Sequence, residues 1–309
     1  MDLKEINLGW EARIYCFRIV QGVNTKDLVI RVFTGAHSKM KTDFEFQLIN
    51  RLNQTRYPVP EVYICETESD LIGSPFIIME KLNGGSLMDH FNNAQGMLGS
   101  DLDLFSRLWV SLHKLAARKI LPFSRKYRST HSRLDYRINN LYEQLEKAEI
   151  TELNLVVAWL ERNRNTVENK ELVLIHQDFH PGNILFRSDG SPAVIDWSSA
   201  DLGDSREDLG WTSLLASTLF SPALANTLVD SYESISGQKI EGLDYFEALA
   251  ALRRLTDTLY AIKRGMAAAG MQKETEGWFR RNHTHYLKIS KRLEDITGQK
   301  IPNVLEYIK

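Results

Sequence analysis

Residues 14–20 and 28–33 are rich in β-branched and aromatic side chains, with Gly22 and Asn24 between them, and predict the two strands of an antiparallel hairpin. Over residues 42–52 the period changes. Phe44, Leu48, Ile49 and Leu52 fall on one face of a helix, which Pro58 and Pro60 then stop. A further strand is expected at residues 75–79, running into Asn83, Gly84 and Gly85, and the glycine pair marks the expected hinge between two lobes. Beyond residue 86 the texture is helical. Ser100 is placed to cap a helix whose Leu104, Leu108, Leu112 and Leu115 form an apolar stripe, with His113 inside it as a core residue. More helices are expected over residues 132–148, 151–166, 205–220, 223–236, 241–265 and 275–296. One polar insert interrupts them at residues 172–198, where short apolar strands at 172–175 and 193–195 flank loops. There is no internal repeat.

Composition adds exclusions. The chain has 309 residues, 43% hydrophobic and 25% charged, which is ordinary for a globular protein with room for two lobes. A formal net charge of −2, balanced on both sides of residue 86, offers no electrostatic footprint for nucleic acid or an anionic membrane. Two cysteines, Cys16 and Cys65, make no disulfide framework and suit a reducing cytosol. The first residues lack the basic-then-apolar order of a secretory signal, and no uncharged apolar run reaches about 18 residues. These features predict a cytoplasmic protein with no membrane partner, and carry no signal of its oligomeric state.

The chemistry is concentrated in the polar insert. It reads His176-Gln177-Asp178-Phe179-His180-Pro181-Gly182-Asn183, then Ile195-Asp196-Trp197 after a turn at Ser188-Asp189-Gly190. The flanking strands put Asp178, Asn183 and Asp196 in loops. Phosphoryl transfer asks little covalent help of a protein, but needs metal to neutralise phosphate and a carboxylate for the acceptor's proton. Asn183 and Asp196 supply oxygen ligands of the kind Mg²⁺ takes, leaving Asp178 as base or orienting group for the acceptor hydroxyl.

His-x-Asp-x-x-x-x-Asn followed by an apolar-Asp pair resembles the kinase catalytic loop and its metal-binding Asp. The variant His180-Pro181-Gly182-Asn183 with Ile195-Asp196-Trp197 is more specific, and resembles the aminoglycoside phosphotransferase and choline kinase superfamily. That superfamily typically carries Gly where Gln177 stands. Its downstream Gly-Asp-Pro-x-x-Asp-Leu-Ala is matched by residues 203–210, with Ser205 for Pro and Gly210 for Ala. No Ala-Pro-Glu follows Asp196, which favours a small-molecule acceptor over a protein.

The resemblance implies an α+β, two-lobed protein-kinase-like fold, with a small antiparallel-sheet N-lobe at residues 1–82 and a larger helical C-lobe at residues 83–309. Nucleotide and Mg²⁺ would lie between the lobes, and ATP or GTP would be the phosphoryl donor. The resemblance further implies that Arg31, in place of the usual Lys, grips the nucleotide phosphates, with Glu45 as its ion-pair partner. It also implies that Met79, the Glu80 carbonyl and the Leu82 amide face the base. The segment Leu8-Gly9-Trp10-Glu11-Ala12 stands where a nucleotide-covering loop belongs, with a single glycine. By family default the acceptor is an aminoglycoside-like antibiotic, with macrolides, choline-like alcohols and sugar-amines as alternatives.

Other readings compete with these. His176, Asp178 and His180 alternate and could form a metallohydrolase cluster, although a third histidine at ligand spacing is missing. A degenerate nucleotide-binding regulator would fit Arg31 and the sparse glycine loop, but not the full Asp178, Asn183 and Asp196 set. Asp204 and Asp208 suit the first turn of the helix expected near Ser205, where carboxylates meet free N–H groups, better than an acidic substrate rim.

Overall fold

The computed structural model describes residues 4–6, 12–35, 37–68, 70–93, 99–121, 128–301, 306 and 308. Four residues of the expected nucleotide-covering loop, 8–11, lie outside them.

The expected hairpin is present and longer than its apolar core. Strands β2 (Ala12–Gln21) and β3 (Asn24–Phe33) pair antiparallel across Gly22 and Val23, with Gly22 at φ +62°. They belong to a five-stranded antiparallel sheet in the order β1-β2-β3-β5-β4, completed by β1 (Lys4–Ile6), β4 (Val62–Glu66) and β5 (Phe76–Glu80). Helix α1 (Ser38–Gln54) buries Leu48, Ile49 and Leu52, as its spacing predicts. A short helix, α2 (Leu87–Asn93), follows the glycine pair.

In chain order the helices that follow are α3 (Gly99–His113), α4 (Ala117–Ile120), α5 (Thr130–Lys147) and α6 (Asn154–Asn163). The polar insert then supplies β6 (Val173–Ile175), β7 (Ile184–Phe186), β8 (Pro192–Val194) and β9 (Asp201–Gly203), paired as β6 with β9 and β7 with β8. After it come α7 (Ser205–Leu215), continued by a π-helical turn at Ala216–Phe220, then α8 (Pro222–Ser236), α9 (Leu243–Arg264), α10 (Thr275–Arg281) and α11 (His283–Thr297). The helix expected over 275–296 is thus two, broken at Asn282. On α3 the buried face is centred on Phe105, Trp109 and Leu112, and the outer members of the predicted stripe, Leu104 and Leu115, are half-buried. Aromatic bulk, which a leucine count overlooks, sets the face.

The chain divides into two compact units. One comprises residues 1–98, 180–199 and 270–273; the other comprises 99–179, 200–269 and 274–309. In the first unit Gly84 and Gly85 are held against β7: Gly84 N–H donates to Phe186 O at 2.8 Å, and Phe186 N–H donates to Gly85 O at 2.9 Å. A Cβ at Gly84 would lie 2.7 Å from Phe186 Cβ and Arg187 O, so close approach demands glycine there.

In the second unit α7 packs on α9, where a Cβ at Gly210 would lie 2.6 Å from the Phe246 carbonyl carbon. Asp204 caps α7 in a reciprocal capping box with Glu207. It is fully buried, and accepts from Arg206 Nη2 at 2.7 Å and Thr130 Oγ1 at 2.9 Å. Asp204 therefore has the structural role that its place before the helix predicts.

Candidate active site

In the second unit the insert leaves β6 at Ile175 and turns at once, because Gln177 adopts φ +66°. That left-handed conformation costs a residue with a Cβ about 1 kcal/mol and costs glycine nothing. It accounts for the glycine typical of related loops. The turn is held from behind by Asp208 of α7, a fully buried carboxylate that accepts the N–H groups of His176 at 2.8 Å and Gln177 at 2.6 Å. Asp208 also faces His113 Nε2 at 3.2 Å, while His113 Nδ1 meets the Tyr232 hydroxyl at 2.8 Å. Burial pushes the Tyr232 phenol well above its ordinary pKa, so it stays protonated beside Nδ1. Asp208 is more than an end-of-helix charge, because it binds the loop backbone.

The same loop is held from the front. Arg253 Nη1 donates to Gln177 O at 2.7 Å, and the guanidinium lies over the Trp211 ring, 4.3 Å from its centroid. Trp211 in turn donates its indole N–H to Asp178 Oδ1 at 2.8 Å. Asp178 is half-buried, and its N–H donates to His176 Nδ1 at 3.3 Å. Phe179 O accepts from Thr212 Oγ1 at 2.6 Å, and the Phe179 ring stacks on Trp109.

In the first unit, Pro181–Asn183 form a 3₁₀ turn in which His180 Nδ1 accepts from Gly182 N–H at 3.1 Å. His180 is a brace of this turn. Asn183 O accepts from Ile195 N–H at 2.9 Å, so β7 and β8 bring Asn183 beside the residue preceding Asp196. Asp196 takes φ +67°, and its side chain is 37% exposed, open to a further ligand. Its Oδ1 lies 2.6 Å from Arg31 Nη2 and 3.3 Å from Ser198 Oγ.

Arg31 on β3 also faces Glu45 of α1, with Nε 3.4 Å from Oε2, and Trp197 N–H donates to Glu45 Oε1 at 3.4 Å. Arg31, Glu45 and Asp196 therefore form one ion-pair set around a nearly buried guanidinium. At the end of β5, Met79 is buried, and the Glu80 side chain is held by Arg187 at 2.7 and 2.9 Å. Leu82 is half-buried in irregular chain. In the backbone, Glu80 N–H donates to Glu61 O at 2.8 Å and Lys81 N–H to Asp27 O at 3.3 Å.

Among the described residues, no group of three or more His, Cys, Asp or Glu side chains is arranged to hold a metal, which removes support for a His176, Asp178 and His180 cluster. Trp211 and Arg253 are site residues that sequence reasoning missed, and Asp208 was read only as a carboxylate of the helix's first turn. Asp208 and Trp211 were within reach, since they stand three apart on one helix and share a face. Nothing local signals Arg253.

Known structures resemble this chain throughout its length. It superposes on a thermostable mutant of the aminoglycoside phosphotransferase APH(4)-Ia in its apo form with a TM-score of 0.65 at 16% identity, covering 96% of this chain and 94% of that one. It superposes on APH(2")-IIa, solved as a ternary complex with streptomycin and ATP, with a TM-score of 0.59 at 15% identity, covering 100% and 93%. The fold is the protein-kinase-like α+β fold. The phosphotransferase enzyme family matches over residues 2–249, and the chain belongs to that family.

Acyl-CoA dehydrogenase family member 11 of Gallus gallus is 26% identical over 184 residues, covering 56% of this chain and 23% of that protein. Family member 10 of Mus musculus is 23% identical over 231 residues, covering 69% and 20%. The chain spans about a fifth of the length of these relatives. No helix among the described residues is long and apolar enough to cross a membrane.

Proposed function

We propose that this chain is a small-molecule kinase that transfers the γ-phosphoryl group of ATP or GTP, with Mg²⁺, to an alcohol. The observation that carries this reading is the set formed by Arg31, Glu45 and Asp196, with Asn183 hydrogen-bonded beside the last. A carboxylate and a carboxamide give hard oxygen ligands, and the exposed Asp196 carboxylate has room for a divalent cation, so the residues fit Mg²⁺. Bound there, the ion would neutralise phosphate charge.

Arg31 keeps its charge and can reach phosphate from its place beside Asp196. Glu45 orients it. Met79, the Glu80 carbonyl and the Leu82 amide receive the base, with residues 1–82 as the nucleotide-binding lobe and residues 83–309 carrying the catalytic loop, the metal site and the acceptor site. Asp178, oriented by Trp211, accepts the hydroxyl proton.

The solved relatives include APH(4)-Ia with ADP and hygromycin B, and an aminoglycoside is the family's default acceptor, with antibiotic resistance as the role. Macrolides, choline-like alcohols and sugar-amines are the alternatives. The protein works in the cytoplasm, without nucleic acid or membrane.

Calorimetry with and without Mg²⁺ tests the reading. Asp196→Ala should abolish Mg²⁺-dependent nucleotide binding, whereas Asp178→Ala should retain it. Undiminished binding by Asp196→Ala would remove the proposed metal ligand. Nucleotide binding that is intact in the wild type, without turnover of any acceptor, would favour a regulator instead.

A further inference from the structure

The second unit contains a recess lined by Arg137, Gln177, Glu207, Trp211, Phe246 and Arg253, among others. It adjoins Asp178 through Trp211, which lines the recess and donates its indole N–H to that carboxylate. It is a small recess that opens to solvent.

The charges around it are unequally engaged. The Glu207 carboxylate accepts from Arg133 Nε at 3.2 and 3.3 Å and from Asp204 N–H at 3.1 Å. Arg137 has Nε 3.8 Å from Glu207 Oε2, beyond hydrogen-bond distance, and this buried nitrogen has no hydrogen-bond partner among the described residues. Its side chain is only 19% exposed. Burial, with Arg133 and Arg253 alongside, lowers the Arg137 pKa to about 10. Arg253 gives Nη1 to Gln177 O, and Asp257 stands 3.6 Å from its Nε. Arg137 and Arg253 thus face a small recess whose one lining carboxylate, Glu207, is shared between hydrogen bonds from Arg133 and a longer ion pair with Arg137. A desolvated, under-bonded guanidinium favours an anion and repels an ammonium group.

We propose that the acceptor is an alcohol bearing an anionic group, a carboxylate or a phosphate ester, whose charged end enters the recess between Arg137 and Arg253 while its hydroxyl is presented to Asp178. The inference rests on the kinase reading and sets the acceptor class apart from the polycationic default. In the reaction the hydroxyl oxygen bonds to the γ-phosphorus as the bond from that phosphorus to the β,γ-bridging oxygen breaks. The nucleoside diphosphate leaves with that electron pair, and the hydroxyl proton passes to Asp178.

Nucleoside diphosphate release is measured with glycerate, glycerol 3-phosphate, glycerol and kanamycin as acceptors. One of the two acids should exceed glycerol in kcat/KM by about tenfold or more, the worth of a charge-assisted hydrogen bond. Which acid wins separates carboxylate from phosphate recognition. Arg137→Gln should raise KM for that acid about tenfold with the nucleotide KM unchanged, and Arg137→Lys should recover part of the loss. Preference for glycerol or kanamycin, or acid turnover indifferent to Arg137→Gln, overturns the proposal and leaves the kinase reading standing. If none of the four is turned over, calorimetric titration of glycerate and inorganic phosphate into both proteins decides. Binding to the wild type alone supports the anion site and counts against the kinase reading, while binding to neither, or equally to both, overturns the proposal.

Discussion

Trp211 donates its indole N–H to Asp178 Oδ1 at 2.8 Å, and this bond ties the loop carboxylate to helix α7. The bond selects one orientation of the carboxylate. Trp211→Phe keeps the ring and removes the donor. We expect kcat to fall about tenfold with nucleotide affinity unchanged, as measured by steady-state kinetics and nucleotide titration. Unchanged kcat would show that Asp178 is oriented by other contacts.

Asp178 itself should matter more than the residue that orients it. Asp178→Ala is expected to lower kcat by about 10²–10⁴-fold, the range for loss of a general base. Turnover at the wild-type rate would assign the proton to another group.

The conformation at Gln177 gives a stability prediction. A residue at φ +66° gains from glycine, so Gln177→Gly should be no less stable than the wild type, while Gln177→Val should lose about 2 kcal/mol. Urea denaturation at neutral pH distinguishes the two. A Gly variant weaker than the Val variant would mean that the side chain, and not the backbone, holds the turn.

His285 supplies a pH dependence. It is 3% exposed, packed between Tyr286 and Trp278, and burial, with Arg254 and Lys288 near it, lowers its pKa from 6.5 to about 3. The unfolded chain therefore binds the proton more readily. The neutral ring's contribution is complete above about pH 6.5 and is withdrawn as pH falls toward 3, by about 1.4 kcal/mol per unit within that window. His285→Leu should flatten the stability profile between about pH 6.5 and 5, where carboxylates add little. Denaturation midpoints across that range should show the difference, and parallel profiles would contradict it.

Much of the architecture was legible because it rests on local periodicity. The hairpin of β2 and β3, helix α1, and most later helices stand where apolar spacing predicts them, since one buried face imposes its own repeat. Strands β1, β4, β7 and β9 and helices α2 and α4 escaped notice, most of them being too short to display a period. The break at Asn282 escaped for another reason, as apolar positions continue at helical spacing on both sides of it.

By itself the sequence pointed to the family and to the residues proposed to do the chemistry, because His-x-Asp, Pro-Gly-Asn and Ile-Asp-Trp keep their spacing within one short insert. It could not show that Arg31 meets Asp196 across 165 positions, that Asp208 binds the loop backbone, or that Arg137 and Arg253 face one recess beside Trp211. Those relationships depend on the packing of helices and strands far apart in the chain. A charged side chain's role is set by which partners packing leaves to it, and spacing along the chain carries no record of that.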